Sequence, residues 1–429
     1  MDHFVSTRPI RIGIAAFTLL ACASYVYVVL SLWRADFLQD QRDRASLEAS
    51  ARLQPWNAQT QWLLGRYFLN GPQDYANALK FLQRAVELDR YEGRYWIDLA
   101  AAHEVRGEAS ESKEALLRAL QVEPTSVEIA RETANFYLAD NDTNRALPLF
   151  RVALQYDPGN TAAILGLCWR ATNNVSQIVS LALPLQPASY FAFLKILADQ
   201  NQSSPAEEVW QDLIAQKFRF PVEEAFPYFD YLIQTRQIDQ ANKVWTDLSK
   251  VHPELQDRTA SNLVSDGGFE TEFLNGGFGW RSRQTGQISI LLDTSEVHSG
   301  TRSLRLGFAG PAGGDDVGVY EYVPVQPNTA YKLSAFVKTQ ELTTASGPRL
   351  AIEDPSTKEI LGTTDEFLDT SNWRLRTAEF VTRTDTHLVT LLIVRIPVVG
   401  IPGNPLIKGT FWLDDVELMP ASPAERATP

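Results

Sequence analysis

The chain has 429 residues, of which 45% are hydrophobic and 21% are charged, and this composition is typical of a globular protein rather than of a disordered or collagen-like one. Its formal net charge of −13 argues against a nucleic-acid partner, because a broad nucleic-acid-binding surface needs a basic face. The two cysteines, Cys22 and Cys168, are too few for a disulfide framework or a four-cysteine zinc site.

The first predicted element is an apolar segment that contains no charged residue from Ile12 to Trp33. At about 1.5 Å of rise per residue, a helix of this length spans the roughly 30 Å hydrocarbon core of a bilayer. A signal peptide has a shorter apolar region, and the lipoprotein-like box that ends at Cys22 is followed by further apolar residues. We therefore predict a short tail at residues 1–11 and a transmembrane helix at residues 12–33, with a lipoprotein or a cleaved signal peptide as the alternatives.

The charges beside this segment bear on its orientation. Arg8 and Arg11 precede the segment and Arg34 follows it, so the bias predicted by the positive-inside rule is small. The short N-terminal tail favours a signal anchor. We therefore expect a single-pass membrane protein with the bulk of the chain extracytoplasmic, which means periplasmic if the protein is bacterial.

A repeat of 34 residues follows a predicted helical linker at residues 34–56. Small and large apolar positions keep this period: Ala85, Ala119, Ala153, Leu82, Leu116 and Phe150. Small residues allow the two helices of a hairpin to approach closely, and large residues fill the neighbouring groove. The pattern resembles the tetratricopeptide repeat. The resemblance implies an all-α solenoid at residues 57–256 that binds a protein partner on its concave face.

The repeat weakens after residue 160 and then returns. Pro184 breaks the second helix of a shortened unit that runs from Thr161 to Gln186. The spacing of the second helix then reappears twice, at Ala206, Trp210, Leu213, Ala241, Trp245 and Leu248. We predict six hairpins in total, and we interpret Cys168 and the tryptophans of the repeats, Trp96 included, as packing residues.

The helical period stops after Pro253, and alternating strand patterns separated by turns begin. We predict a linker at residues 257–261, about eight or nine strands between residues 262 and 420, and a disordered tail at residues 421–429. The segments at 262–264, 268–270, 299–304, 327–333 and 412–418 resemble the carbohydrate-binding jelly rolls of the galactose-binding-like superfamily. The fold class is therefore multidomain, with a transmembrane helix, a helical solenoid and an all-β jelly-roll sandwich.

The jelly-roll resemblance implies two sites. Many relatives hold a structural calcium, and Glu270 and Asp415 match the carboxylate positions of that site. The alternative is that Asp415 only ends a strand and that Glu270 pairs with Arg302. The second site is a sugar groove, whose aromatic candidates are Tyr320, Tyr322, Phe367 and Trp280. For each ring the alternative is a position in the hydrophobic core. We prefer the two tyrosines as the sugar-binding residues. Apart from calcium, no cofactor is predicted.

Motifs of catalysis do not occur in the sequence. It contains no GxSxG elbow, no phosphate loop that ends in Gly-Lys-Ser/Thr and no HExxH pair. We therefore predict a membrane-anchored, non-catalytic scaffold that binds a protein and a glycan, in the assembly or export of cell-envelope polysaccharide. The alternatives are a protein–protein adaptor whose sandwich has no sugar site and, ranked last, a glycan-processing enzyme.

Overall fold

The computed structural model describes residues 7–253, 255, 262–283, 288–310, 316–344, 346–395 and 407–421, with the side chains of residues 7–11 and 316 left out. The predicted linker at 257–261, the start of the N-terminal tail and nearly all of the C-terminal tail lie outside the described residues. The chain forms two compact units that divide between Ile196 and Leu197.

A long helix, α1 (Thr7–Gln41), carries the apolar segment of the first unit. Within Ile12–Gln41 an 18-residue stretch has a mean hydropathy of 2.1, and none of that stretch is buried against the rest of the chain. By length and composition this helix can cross a membrane, and a signal sequence meets the same criteria. The far end of α1 packs on its neighbours, because Ala35 is fully buried and Thr60 Oγ1 donates a 2.7 Å hydrogen bond to Gln39 Oε1.

Short helices follow α1 among the described residues. The first is α2 (Arg44–Leu53), in the predicted linker, and twelve more lie between Ala58 and Val251, as six hairpins require. These are α3 (Ala58–Asn70), α4 (Tyr75–Leu88), α5 (Gly93–Glu104), α6 (Ala109–Val122), α7 (Val127–Ala139), α8 (Thr143–Tyr156), α9 (Thr161–Thr172), α10 (Val175–Leu181), α11 (Pro187–Asp199), α12 (Ser203–Ala215), α13 (Phe226–Gln234) and α14 (Ile238–Val251).

Small residues lie where the helices cross. The three alanines of the 34-residue period, Ala85, Ala119 and Ala153, are fully buried. At Gly65 even a Cβ atom would lie only 2.5 Å from Leu82 Cγ, so this crossing requires glycine. The tetratricopeptide-like packing predicted from the period is therefore present.

The other predicted packing residues lie in or against the core. Cys168, Trp210 and Trp245 are buried, as predicted for core residues. Helix α10 ends at Leu181, ahead of Pro184. Trp96 is half-buried and packs against the hydrophobic core of the repeats, and its indole N–H donates a 3.0 Å hydrogen bond to the Arg90 carbonyl oxygen.

The second unit contains ten strands among its described residues. They are β1 (Arg281–Ser282), β2 (Ile288–Asp293), β3 (Ser303–Gly310), β4 (Asp316–Pro324), β5 (Ala330–Thr343), β6 (Pro348–Asp354), β7 (Glu359–Thr363), β8 (Asp369–Val381), β9 (Leu388–Arg395) and β10 (Ile407–Pro420). Sheet I has the order β1-β4-β9-β6-β7 and sheet II the order β2-β3-β10-β5-β8, and all neighbours are antiparallel. The predicted two-sheet sandwich is confirmed. Its core is lined by alternate apolar residues of the two sheets, such as Val319, Leu333, Leu391 and Leu413.

The sandwich has ten strands among the described residues, where about eight or nine were predicted. Strand β7 has no buried residue that could give a period of two. Residues 262–264 do not form a strand, although the Leu263 N–H donates a 2.9 Å hydrogen bond to the Leu418 carbonyl oxygen.

The second unit also contains the last helical hairpin, α13–α14, which packs against the segment that leads into β1. Phe278, fully buried, lies just before β1, and its ring centroid is 4.7 Å from that of Phe229 on α13 and 5.8 Å from that of Trp245 on α14. A Cβ atom on Gly277 would lie 2.0 Å from Trp245 Cζ3, so the close approach requires glycine. Arg281 on β1 also forms a 2.7 Å ion pair with Asp230 on α13.

Candidate functional site

Strand β4 presents two tyrosines on the outer face of sheet I. Because successive strand residues point to opposite faces, Val319 and Val323 enter the core whereas Tyr320 and Tyr322 face outward and stay half-buried. The two rings lie 5.6 Å apart at an interplanar angle of 76°. We call this outer surface of sheet I the tyrosine face. The structure therefore brings together two of the four aromatic residues predicted for a sugar site.

Polar side chains continue the tyrosine face across the sheet. Tyr322 is paired in register with Thr390 on β9, and Thr390 is paired with Glu353 on β6. The Glu353 carboxylate is held by Lys358 at 3.0 Å. Aromatic rings beside a few fixed polar groups are the arrangement expected for a site that orients a small polar ligand.

Arg281 determines the surroundings of Tyr322. Its guanidinium lies 5.4 Å from the centroid of the Tyr322 ring, while the ion pair with Asp230 holds it in place. Burial raises the pKa of the Tyr322 phenol above its ordinary value. The hydroxyl therefore stays protonated at neutral pH and can both donate and accept a hydrogen bond.

Phe367 and Trp280, the other two aromatic candidates, lie in the core. Phe367 is 1% exposed and stacks on Phe411 at 5.3 Å, and Trp280 is 3% exposed and packs on Phe269 at 4.9 Å. Neither ring presents a face to a ligand. The prediction that they line a sugar groove is therefore corrected, and the alternative of a core position holds for both.

The predicted calcium residues Glu270 and Asp415 are both engaged with neighbouring loops. Glu270 Oε1 accepts a 2.8 Å hydrogen bond from the Thr301 N–H, and the Thr301 hydroxyl holds the pKa of the Glu270 carboxyl below its usual value. Asp415 has a positive φ of 50° at an irregularity of strand β10. Its carboxylate contacts His298 Nδ1 at 2.5 Å and accepts a 2.6 Å hydrogen bond from the Ser299 hydroxyl.

Asp414, which was not predicted as a site residue, has its carboxylate near that of Glu270. It is fully buried, and burial raises the pKa of its carboxyl even though the N–H groups of His298 and Ser299 donate hydrogen bonds to it. A Cβ atom on Gly268 would lie 3.9 Å from both Asp414 Oδ1 and Glu270 Oε1. Among the described residues no group of three or more His, Cys, Asp or Glu side chains is arranged to hold a metal ion.

No single parity along the last strand identifies Asp414. Phe411 and Leu413 before it and Val416 and Leu418 after it are all buried, because the register is irregular between Asp414 and Glu417. The sequence likewise gives no local signal for Arg281, because its partners Asp230 and Tyr322 are distant in the chain and belong to other elements.

The first unit has a groove of about 1130 Å³ among helices α4, α5 and α6. Trp96 lies in it half-buried, and Tyr91 is 73% exposed at its edge. The charged side chains that line it are mostly acidic: Glu87, Asp89, Glu111, Glu114, Arg90 and Arg118. This groove therefore combines exposed aromatic rings with a net negative charge.

Comparison with known proteins finds one family model that matches part of the sandwich region. Residues 261–396 match the family model described as a carbohydrate binding domain. The predicted resemblance of this part of the chain to carbohydrate-binding modules is therefore confirmed. The match covers most of sheets I and II, including both tyrosines of the tyrosine face.

Curated relatives are large proteins with which the chain shares one part. The tRNA(Glu)-specific nuclease WapA of Bacillus subtilis subsp. natto is 27% identical over 205 residues, and the tRNA nuclease WapA of Bacillus subtilis strain 168 is 26% identical over 205 residues. Each match covers 44% of this chain and 8% of the relative. The chain therefore spans less than a tenth of these proteins, and the nuclease activity in their names is theirs.

Solved structures with similar folds fall into two groups. The CBM22-1 and GH10 modules of Clostridium thermocellum xylanase 10B with xylohexaose are 19% identical, covering 38% of this chain and 29% of that one, with a TM-score of 0.27. MamA is 14% identical over 44% of this chain and 91% of that one, with a TM-score of 0.29. The TPR2B domain of yeast Sti1 is 20% identical, and the match covers 27% of this chain and 96% of that domain, with a TM-score of 0.25.

Proposed function

We propose that the chain is a membrane-anchored, non-catalytic scaffold whose sandwich binds a glycan and whose helical repeats bind a protein. The observation that carries the glycan part is the tyrosine face. Tyr320 and Tyr322 face outward, half-buried, on a sandwich whose sequence matches a carbohydrate-binding family, and they lie beside the polar pair of Glu353 and Lys358. A flat ring with adjacent hydrogen-bonding groups suits the alternating apolar and hydroxyl surfaces of a sugar.

Binding of the full chain in lipid nanodiscs to an array of neutral and acidic polysaccharides tests the glycan part. We expect Tyr320→Ala to weaken binding of the selected glycan by about tenfold or more, because truncating a central aromatic contact costs roughly 2 kcal/mol. Tyr156→Ala, an exposed tyrosine on helix α8, is the matched control and should leave binding unchanged.

The adaptor hypothesis is the second candidate, and one observation favours it. The two tyrosine rings are nearly perpendicular and Arg281 covers Tyr322, so the tyrosine face is not one continuous flat platform. If the wild-type chain binds no polysaccharide of the array but still binds a protein partner, the adaptor hypothesis is established. A glycan that binds equally to wild type and Tyr320→Ala would remove the tyrosine face from the proposal.

The protein part rests on the groove among α4, α5 and α6. Its aromatic rings Tyr91 and Trp96 supply apolar anchors, and its net negative charge suits a segment with basic side chains. A photo-crosslinking amino acid at Tyr91 in membranes should capture one partner. The same label at Tyr156 is the control for random contact, and identical products from both positions would contradict a specific groove.

We also propose that the chain binds without turning over a substrate. Hydrolysis of a glycosidic bond uses two carboxylates that flank the bond. On and beside the tyrosine face, Glu353 is engaged by Lys358 and Glu366 by Arg349 and the Gly347 N–H, which suits structural roles. Incubation of the full chain with its bound polysaccharide, and separately with tRNA, should give no products on chromatography, and any tyrosine-dependent product would overturn the proposal.

An uncleaved anchor is supported by the packing of α1. Gln54 donates a 3.3 Å hydrogen bond to the Leu32 carbonyl oxygen and Ala35 is fully buried, so the end of the apolar helix is part of the folded unit. Cleavage beyond Ala35 would remove this packing, whereas cleavage at the box that ends at Cys22 would leave it in place. Reporter fusions to the C-terminus should be active only outside the cytoplasm, as expected for a role at the cell envelope, and the full-length mass should persist in purified membranes.

We propose, finally, that Glu270 and Asp414 hold a structural calcium. Two carboxylate oxygens border the same space above Gly268, and oxygen ligands from separate segments suit a hard cation. Calcium should raise the unfolding temperature of the sandwich in the wild type and in Asp415→Asn. It should have no effect in Asp414→Asn, and a calcium response lost only in Asp415→Asn would assign the site to the originally predicted residue instead.

A further inference from the structure

A pocket of about 300 Å³ lies where the turn between α13 and α14 meets the tyrosine face. The turn contributes residues 233–238, and the sandwich contributes Tyr322, the turn after β6 and the residues just before β9. This volume is at the lower end of the range for small-ligand sites. The pocket therefore belongs to two parts of the chain that sequence patterns assign to different folds.

The hairpin is held firmly against the sandwich at this place. The ion pair of Asp230 and Arg281 joins α13 to β1 at 2.7 Å, and the Phe278 ring fills the space between α13 and α14. Arg281 in turn covers the Tyr322 ring. The ion pair and the ring contacts therefore hold the wall that the hairpin adds to the pocket against the sandwich.

The polar groups of the pocket suit an uncharged ligand with many hydroxyls. Arg236 and Asp385 make no ion pair among the described residues, and the His387 side chain makes no hydrogen bond there, so all three are available to a ligand. Buried Asp354 accepts 2.8 Å hydrogen bonds from the Ser356 N–H and the Thr386 hydroxyl, so it orders the loops. Acidic and basic side chains therefore line the pocket together with the Tyr322 ring, and they offer hydrogen-bond acceptors and donors to a ligand.

We infer that the turn of the α13–α14 hairpin is part of the glycan site and that Arg236 binds the hydroxyls of one neutral sugar unit in this pocket. The inference rests on the proposed glycan binding. The neighbouring sugar units then lie along Tyr320, and the helical repeat contributes to the specificity of the sandwich. A sandwich without this hairpin has no counterpart of Arg236.

Arg236→Asn is the variant that tests this inference, because asparagine tolerates the left-handed backbone of the turn. Arg236 has a φ of 61°, and Asn141, Asn173 and Asn201 occupy helix-ending turns of the chain with φ between 46° and 57°. Lys217→Asn, with a φ of 56° in the turn after α12, is the matched control because it lies outside the pocket.

Calorimetry on the full chain in nanodiscs, with neutral and acidic disaccharides to hexasaccharides, gives the readout. We expect Arg236→Asn to bind the neutral sugars about tenfold or more weakly, as for the loss of a hydrogen bond from a charged group, and Lys217→Asn to bind as wild type does. If Tyr320→Ala weakens binding and Arg236→Asn does not, the inference fails while the glycan function stands. If Arg236→Asn loses binding of the acidic sugars only, the ligand is not a neutral sugar and the inference is refuted. If the wild-type chain binds no sugar, both the inference and the proposed glycan binding are refuted.

Discussion

Phe278→Ala tests whether the last helical hairpin and the sandwich share one core. The ring is fully buried and makes edge-to-face contacts with Phe229 and Trp245. Truncation of a buried phenylalanine costs about 3–5 kcal/mol, which includes the aromatic pairs that are lost. A change of about 1.4 kcal/mol corresponds to a factor of ten in an equilibrium constant. The equilibrium constant for opening of the segments that pack on Phe278 should therefore rise roughly a thousandfold.

Native-state hydrogen exchange of the full chain in nanodiscs measures this directly, because exchange of protected amides reports the opening free energy of each segment. In Phe278→Ala, the amides of α14 and those around β1 should exchange faster by the same large factor. Those of α5 and α6, which lie in the first unit, should not change. The coupling of a helix to a strand is the specific result expected from a common core.

Phe150→Ala provides the matched control, since this phenylalanine is also fully buried but lies on α8 in the first unit. It should loosen α7 and α8 and leave α14 protected. The reasoning is refuted if Phe278→Ala loosens only the loop before β1 while α14 keeps its full protection. In that case the hairpin and the sandwich would open independently.

Three further predictions concern single side chains. Ala119→Leu should destabilise the helical repeats by about 1–3 kcal/mol in urea unfolding, because the residue is fully buried at a crossing, and an unchanged midpoint would contradict that packing. Burial raises the pKa of the Cys168 thiol to about 12, so a Cys22→Ser chain should resist iodoacetamide at pH 8 until it is unfolded, and rapid native labelling would contradict the burial. Burial acts to raise the pKa of Asp293, but hydrogen bonds from Ser295 and the Trp412 indole outweigh it and lower the pKa to about 2. The ionised carboxylate therefore stabilises the folded state above pH 3.8, and this stabilisation disappears as the pH falls toward 2. Asp293→Asn should therefore lower the unfolding temperature at pH 7 and not at pH 2, as calorimetry would show, and an equal loss at both pH values would be inconsistent with this.

The sequence predicted the fold where a single period governed the packing. The 34-residue recurrence of alanine predicted the helical crossings, and the alternation around Val319 and Val323 predicted that Tyr320 and Tyr322 face outward. Both predictions depend only on the geometry of a helix or a strand. Strand β7 was missed because half-exposed residues give no such alternation.

The candidate sites were predicted less well because they depend on contacts between distant segments. A strand pattern places Asp414 and Asp415 on opposite faces. Which of the two belongs to the predicted calcium site depends on which carboxylate lies near Glu270 in the fold, and that residue is Asp414. The irregular backbone at Asp415 contributes to that choice, and nothing in the local sequence predicts it. Aromatic composition likewise did not distinguish the buried ring of Phe367 from the outward-facing, half-buried ring of Tyr320.

The shared core predicts that a fragment of the sandwich alone will behave differently from one that retains the hairpin. A fragment that starts at residue 262 exposes Phe278 and leaves Arg281 without Asp230, so the guanidinium is no longer held over Tyr322. We expect it to bind the dye ANS and to lose glycan affinity. A fragment that starts at Leu197 keeps these contacts and should match the full chain in both measurements. Equal behaviour of the two fragments would show that the hairpin is dispensable, and the glycan site would then belong to the sandwich alone.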